Sequence, residues 1–109
     1  LVGPGKAKEM IFADERINAQ EALRIGLVQR VVPKGQAVEE AKKLLKKIMS
    51  KGPVAIKMAK KAINEGLKMS LPEGLNLEAQ CNGVCFGTED KYEGAKAFIE
   101  KRPAKFKGK

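Results

Sequence analysis

Helix punctuation constrains this chain more than any other feature, because residues suited to starting or stopping a helix recur from one end to the other. Gly3-Pro4-Gly5 opens a segment at 6–12 that reads as one or two helical turns. Asn18 has the short, oxygen-bearing side chain of an N-cap ahead of 19–25, and Gly26 follows as a stop, since glycine takes the left-handed backbone without strain. Lys51-Gly52-Pro53 breaks the chain again. Pro53 is tolerated in the first turn of the next helix, 53–69, where its missing N–H would have had no intrahelical partner. Ser70 and Glu73 have the spacing of a capping box for a helix over 71–86. Gly87 stops that helix, Thr88 starts a last one over 89–101, and Pro103 ends it before a lysine-rich tail at 105–109. A chain cut in this way folds as several short helices.

The apolar pattern between these signals agrees. Over 37–49 the apolar residues fall at 37, 38, 41, 44, 45, 48 and 49, which is helical spacing with lysines on the other side. In the next helix Ala55, Ile56, Ala59, Ala62, Ile63 and Leu67 form the inner stripe. One stretch departs: residues 27–32 (LVQRVV) have the β-branched character of a short strand, halted by Pro33. The expected fold class is all-α, mainly helical, with one short strand near 27–32.

Segment 71–86 carries a second constraint. Leu71, Leu75, Leu77, Ala79, Cys81, Val84, Cys85 and Phe86 spread over roughly 220° of the helical wheel, against about 100° for a helix with one buried side. Glu78 and Asn82 interrupt the arc without closing it. Such a helix lies in the middle of its domain or packs on something outside the chain. A chain of 109 residues has few elements to surround it, so an external surface, from another domain or a neighbouring subunit, is expected.

Composition excludes several kinds of chemistry. The chain has no His, so Ser-His-Asp and Cys-His nucleophile systems cannot be built from it, nor can His-containing metal sites. Cys81 and Cys85 are too few for a closed four-cysteine zinc site; four apart on a helix, they read as small core groups, and a reducing compartment is expected. No metal site is expected. No apolar run approaches the roughly 20 residues that span a bilayer, and no charged-then-apolar leader opens the chain. Leu1 in place of Met makes a segment of a longer chain the simpler expectation. The net charge of +9 fits nucleic acid, anionic lipid or a phosphorylated small molecule. A lysine-rich helical module that binds nucleic acid through residues 42–68 is therefore a rival reading. Against it stand four arginines, one Tyr and no Trp, where base readout and stacking favour arginine and aromatic residues.

Three segments carry a family resemblance. Residues 12–33, FADERINAQEALRIGLVQRVVP, resemble the segment that follows the catalytic core in the enoyl-CoA hydratase (crotonase) family, where an A-x-E-A…G-L-V pattern joins helix, turn and short strand. GPVAIKMAKKAIN at 52–64 resembles the family's next helix, and EGAKAFIEKRPAKFKGK at 93–109 is similar to its closing helix and tail. The likeness runs in register over residues 1–107. It implies that the whole of residues 1–109 is the C-terminal helical domain of a crotonase-like subunit whose N-terminal catalytic domain lies outside this chain. In the family that domain supplies two backbone N–H groups as an oxyanion hole and two glutamates as general base and acid, and water adds across the 2,3 double bond of a 2-enoyl-CoA.

The resemblance assigns no catalytic residue to this chain. Glu39 and Glu40 lie on lysine-rich helix faces and read as solvated surface. It does imply two coenzyme A contacts, Phe98 and Lys101, reaching the ligand bound by a neighbouring subunit. An aromatic face packs on adenine, and an ammonium meets phosphate as a point charge. The residues by themselves also fit a core Phe and a solvated Lys near a helix C-terminus, where a cation is favourable in any case. Asn82 departs from the family pattern, which can place an aromatic acyl-pocket residue there. The coenzyme A thioester is the substrate, and no separate cofactor is implied. Implied partners are the acyl-CoA, the chain's own N-terminal domain and further copies in a trimer or dimer of trimers, with neither nucleic acid nor membrane. The implied setting is the cytoplasm, or the mitochondrial matrix in a eukaryote. Isomerases of the family share this helical region, and a pure assembly domain without ligand contact is a further reading.

Overall fold

The structure, a computed structural model, describes residues 1–109. It consists of six helices and contains no strand: α1 (Gly3–Phe12), α2 (Ala19–Arg24), α3 (Ala37–Met49), α4 (Pro53–Gly66), α5 (Leu71–Phe86) and α6 (Glu89–Ile99). The chain divides into two compact units, Leu1–Ala41 and Lys42–Lys109.

In the first unit the local signals act as their chemistry requires. Asn18 Oδ1 accepts from the Glu21 N–H at 2.8 Å, satisfying one of the open donors at the start of α2. Glu21 in turn takes both Nε and Nη2 of Arg24 at 2.6 Å each, and the contact holds its carboxyl below the usual range. Gly26 sits at φ 76, the left-handed position expected of a helix stop.

The strand expected near 27–32 is absent. The N–H groups of Leu27 and Val28 both donate to the Ala22 carbonyl, at 2.9 and 3.2 Å, and so close off α2. β-branched residues favour extended backbone, but a strand exists only when a second one completes its ladder, and this chain offers none.

In the second unit, α5 has the boundaries that its punctuation sets. The Glu73 carboxylate accepts from the Ser70 N–H at 3.0 Å and from its hydroxyl at 2.6 Å, which is the reach-back half of a capping box. α4 and α6 end two or three residues before the sequence places their ends. After α4 the Lys68 and Met69 N–H groups bond three residues back, to Glu65 and Gly66, in the tighter turn with which helices commonly unwind.

α4 and α5 meet at a pair of glycines. A Cβ on Gly74 would lie 3.2 Å from the Gly66 carbonyl oxygen and 3.6 Å from its Cα, so the approach depends on the missing side chain. Gly83, further along α5, has nothing within 4 Å of such a Cβ. The two positions should therefore respond with opposite signs. Gly74→Ala should destabilise the 109-residue chain by about 1 kcal/mol or more through overpacking against backbone. Gly83→Ala should stabilise it by about 0.5–1 kcal/mol through helix propensity alone. Urea midpoints of the two variants give the comparison, and a Gly74→Ala midpoint at or above the parent's would refute the close contact.

Little of this chain is buried. The buried hydrophobic residues are Ala22 in the first unit and Cys81 and Ala97 in the second, and no large side chain is fully buried. The accessible surface is 9072 Å². Two self-contained units of these sizes would expose about 7,100 Å² together. On α5, Leu71, Leu75, Val84 and Phe86 are exposed and Leu77 is half-buried, so the wide apolar arc is not satisfied within the chain. α3 presents Leu44, Leu45 and Ile48 in the same way.

Candidate ligand-contact site

The C-terminal helix carries a connected set of side-chain hydrogen bonds to the residues before and after it. Thr88 caps it: Oγ1 accepts from the Lys91 N–H at 3.2 Å and donates to the Cys85 carbonyl at 2.7 Å, joining the end of α5 to the start of α6. Glu89 and Asp90 in the first turn suit the positive end of the helix.

Asp90 is buried, and what buries it is the tail. Its carboxylate accepts from the N–H groups of Lys107 at 2.6 Å and Gly108 at 2.8 Å, while its own N–H donates to the Lys109 carbonyl at 3.1 Å. The Phe106 ring lies over Gly94, where a Cβ would come within 3.4 Å of it. The lysine-rich tail is thus folded back along α6, with its backbone bonded and the Lys109 ammonium 3.8 Å from the Glu89 carboxylate. Sequence reasoning did not find this docking. The signals available were Asp90 and Glu93 one turn apart and the small Gly94 on the same helix.

Glu93 anchors the segment between α6 and the tail. Its two oxygens accept from Nη1 and Nη2 of Arg102, at 2.7 and 3.0 Å, and Oε1 also accepts from the Lys105 N–H at 2.7 Å. The Arg102 guanidinium, with the Lys105 N–H, holds the Glu93 carboxyl down at about 2. Arg102 further donates from Nε to Glu100 at 2.6 Å, and Glu93 and Glu100 together raise its own pKa.

The two residues for which the resemblance implies coenzyme A contact sit on this same turn. Phe98, on the last turn of α6, is 86% exposed, so it is no core residue of this chain. Lys101 follows the C-cap Glu100 in the left-handed conformation, φ 51, and its N–H donates to the Phe98 carbonyl at 3.2 Å. One turn of backbone therefore joins a bare aromatic ring to an ammonium group that is in no ion pair. Chemically, such a turn can stack on a planar heterocycle and meet an anion.

Elsewhere, α4 and α5 enclose an apolar groove of about 620 Å³, lined by Ala59, Ile63, Leu71, Leu75, Cys81 and Cys85 among others, with Glu78 and Asn82 as polar edges. Both cysteines are free thiols. No three His, Cys, Asp or Glu side chains converge as metal ligands would. No helix is long and apolar enough to cross a membrane.

Comparison with known proteins gives one consistent result. The family profile described as enoyl-CoA hydratase/isomerase matches residues 1–109. Crotonyl-CoA hydratase of Syntrophomonas wolfei is 45% identical over 106 residues, covering 97% of this chain and 41% of that protein. Short-chain-enoyl-CoA hydratase of Clostridium acetobutylicum is 47% identical over 102 residues, covering 94% of this chain and 39% of that protein. Among solved structures, enoyl-CoA hydratase from Bacillus anthracis superposes over 100% of this chain and 42% of its own length, with a TM-score of 0.95 at 44% identity. The chain thus spans about two fifths of the length of the relatives it matches.

Proposed function

This chain belongs to the enoyl-CoA hydratase/isomerase family, and on that premise we propose that it is the C-terminal helical domain of an enoyl-CoA hydratase subunit. In this reading residues 1–109 make oligomer contacts, as a trimer or dimer of trimers, and close the coenzyme A site. The N-terminal part of the subunit performs the chemistry. There the thioester carbonyl is polarised, water's oxygen bonds to C3 and a proton is delivered to C2; the reverse sequence dehydrates a 3-hydroxyacyl-CoA. Nothing in this chain needs to take part in those steps. Its contribution is binding energy at the nucleotide end of the substrate, remote from the reacting carbons, where it holds the acyl group in place. The setting is the cytoplasm, or the mitochondrial matrix if the source is eukaryotic.

The observation that carries the ligand contact is the exposed Phe98 ring joined through one turn to Lys101. At 86% exposure the Phe98 ring is free to stack on a flat heterocycle. The hydratase reading, ahead of isomerase, follows the two relatives named as hydratases. The test is steady-state kinetics on the full-length subunit with crotonyl-CoA. Phe98→Ala and Lys101→Ala should each raise KM about tenfold while kcat stays within about twofold, because binding away from the reacting carbons is lost. Unchanged KM in both variants would remove the ligand role and leave a pure assembly domain.

A further inference from the structure

Lys101, the residue after the α6 C-cap, takes the left-handed backbone, φ 51, which helices commonly use to end but which costs more for a residue with a Cβ than for glycine. The residues on either side of it are tied together. Arg102 donates from Nε to Glu100 Oε2 at 2.6 Å, so the two neighbours of Lys101 are bonded to one another across it. The other edge of the same guanidinium forks onto Glu93, two turns back on α6, at 2.7 and 3.0 Å. The Arg102 N–H donates to the Ala97 carbonyl at 3.0 Å, and Nη1 also reaches the Pro103 carbonyl at 3.2 Å. Glu93 completes the tie by accepting the Lys105 N–H.

Isolated surface ion pairs contribute little to stability, but this one differs in three respects. It is bidentate, it is shared among three side chains, and it is partly shielded, the Arg102 and Glu93 side chains being 35% and 24% exposed. A guanidinium is the group that can serve all these acceptors at once, because its five donors lie in one plane. A lysine at 102 would keep the charge and lose the fork.

We propose that Arg102 and Glu93 are positioning residues for coenzyme A, clamping the turn after α6 so that Phe98 and Lys101 are presented to the nucleotide end of the ligand as one preformed element. The proposal rests on the coenzyme A contact proposed above for those two residues. Without the clamp, the turn that carries Lys101 is free to sample other backbone dihedrals, and the entropy of ordering it falls on binding. Neither positioning residue needs to touch the ligand.

The experiment uses the full-length subunit with two substrates, crotonyl-CoA and crotonyl-pantetheine, the second lacking the nucleotide. The clamp variants are Arg102→Lys and Glu93→Gln, chosen to keep size and avoid unpaired apolar replacements, with Lys101→Ala and Phe98→Ala as references. Each clamp variant should raise KM for crotonyl-CoA about five- to tenfold, leave kcat within about twofold, and leave KM for crotonyl-pantetheine unchanged. In the Lys101→Ala background, Arg102→Lys should raise KM by less than it does alone, since part of the clamp's effect passes through the Lys101 ammonium. A merely structural role would not separate the two thioesters. Equal losses on both substrates, or an unchanged KM for crotonyl-CoA in both clamp variants, overturn the proposal. If the clamp variants behave as wild type while the reference variants raise KM, the clamp alone is refuted. If the reference variants also leave KM unchanged, the coenzyme A reading itself has failed.

Discussion

Crotonyl-CoA incubated with the isolated 109-residue chain should be hydrated no faster than in buffer. Enzymes commonly accelerate reactions by about 10⁶-fold or more, and for thioester enolates much of that comes from oriented donors aimed at the developing charge. This chain contains no histidine, and several of its carboxylates are engaged in holding the fold. Asp90 binds the tail, Glu93 and Glu100 bind Arg102, Glu73 caps α5 and Glu21 binds Arg24. A carboxyl held at about 2 by an arginine, as Glu93 is, makes a poor general base near neutrality, because its affinity for a proton is far below what the step requires. The measurement is loss of the enoyl thioester absorbance with purified chain against a buffer blank. Turnover clearly above the blank, retained through a second purification, would show that the chain holds a catalytic centre of its own.

The same isolated chain should associate at about 100 μM and physiological salt, where the Debye length is about 8 Å. Phe86, Val84 and Leu71 on α5 are 61%, 52% and 75% exposed, and Ile63 and Leu67 near the end of α4 are 62% and 85% exposed. Fully burying one such side chain contributes roughly 1.5–3 kcal/mol, so a contact that covers about five of them on each chain offsets an association cost of roughly 4–15 kcal/mol. Opposing this is the net charge of +9, which repels like chains and is screened by salt. Association should therefore weaken as salt is lowered, the reverse of what a salt-bridged interface would do. Sedimentation velocity at two salt concentrations separates these outcomes. A single monomeric boundary at both would mean that the exposed faces of α3, α4 and α5 are tolerated in water.

Where the controlling physics is local, the sequence by itself determined the structure. The bounds of α3 and α5 follow from a period and from residues adjacent to each end: Pro53 and Gly52 after one, Ser70, Glu73 and Gly87 around the other. Asn18 caps α2 because its own side chain reaches a donor three residues on. The wide apolar arc of α5 was also legible, as a count of faces that a chain this short cannot cover. What failed or stayed hidden depends on distant partners. Residues 27–32 have strand composition, yet a strand is a property of two segments, and no second one is present to pair with. The tail at 105–109 shows in the sequence only as lysine-rich; its backbone is nevertheless bonded to Asp90 and Glu93, 12 to 18 residues away. The crossing of α4 and α5 at Gly66 and Gly74, and the groove beside it, exist only once the two helices approach. The turn carrying Phe98 and Lys101 shows both regimes. Its residue types and its helix-ending backbone bonds are local, but the ion pair beside it joins Arg102 to Glu93, nine positions apart. Local signals act through bonds that a few residues can complete alone, whereas tertiary contacts draw on partners that only the folded chain brings within reach.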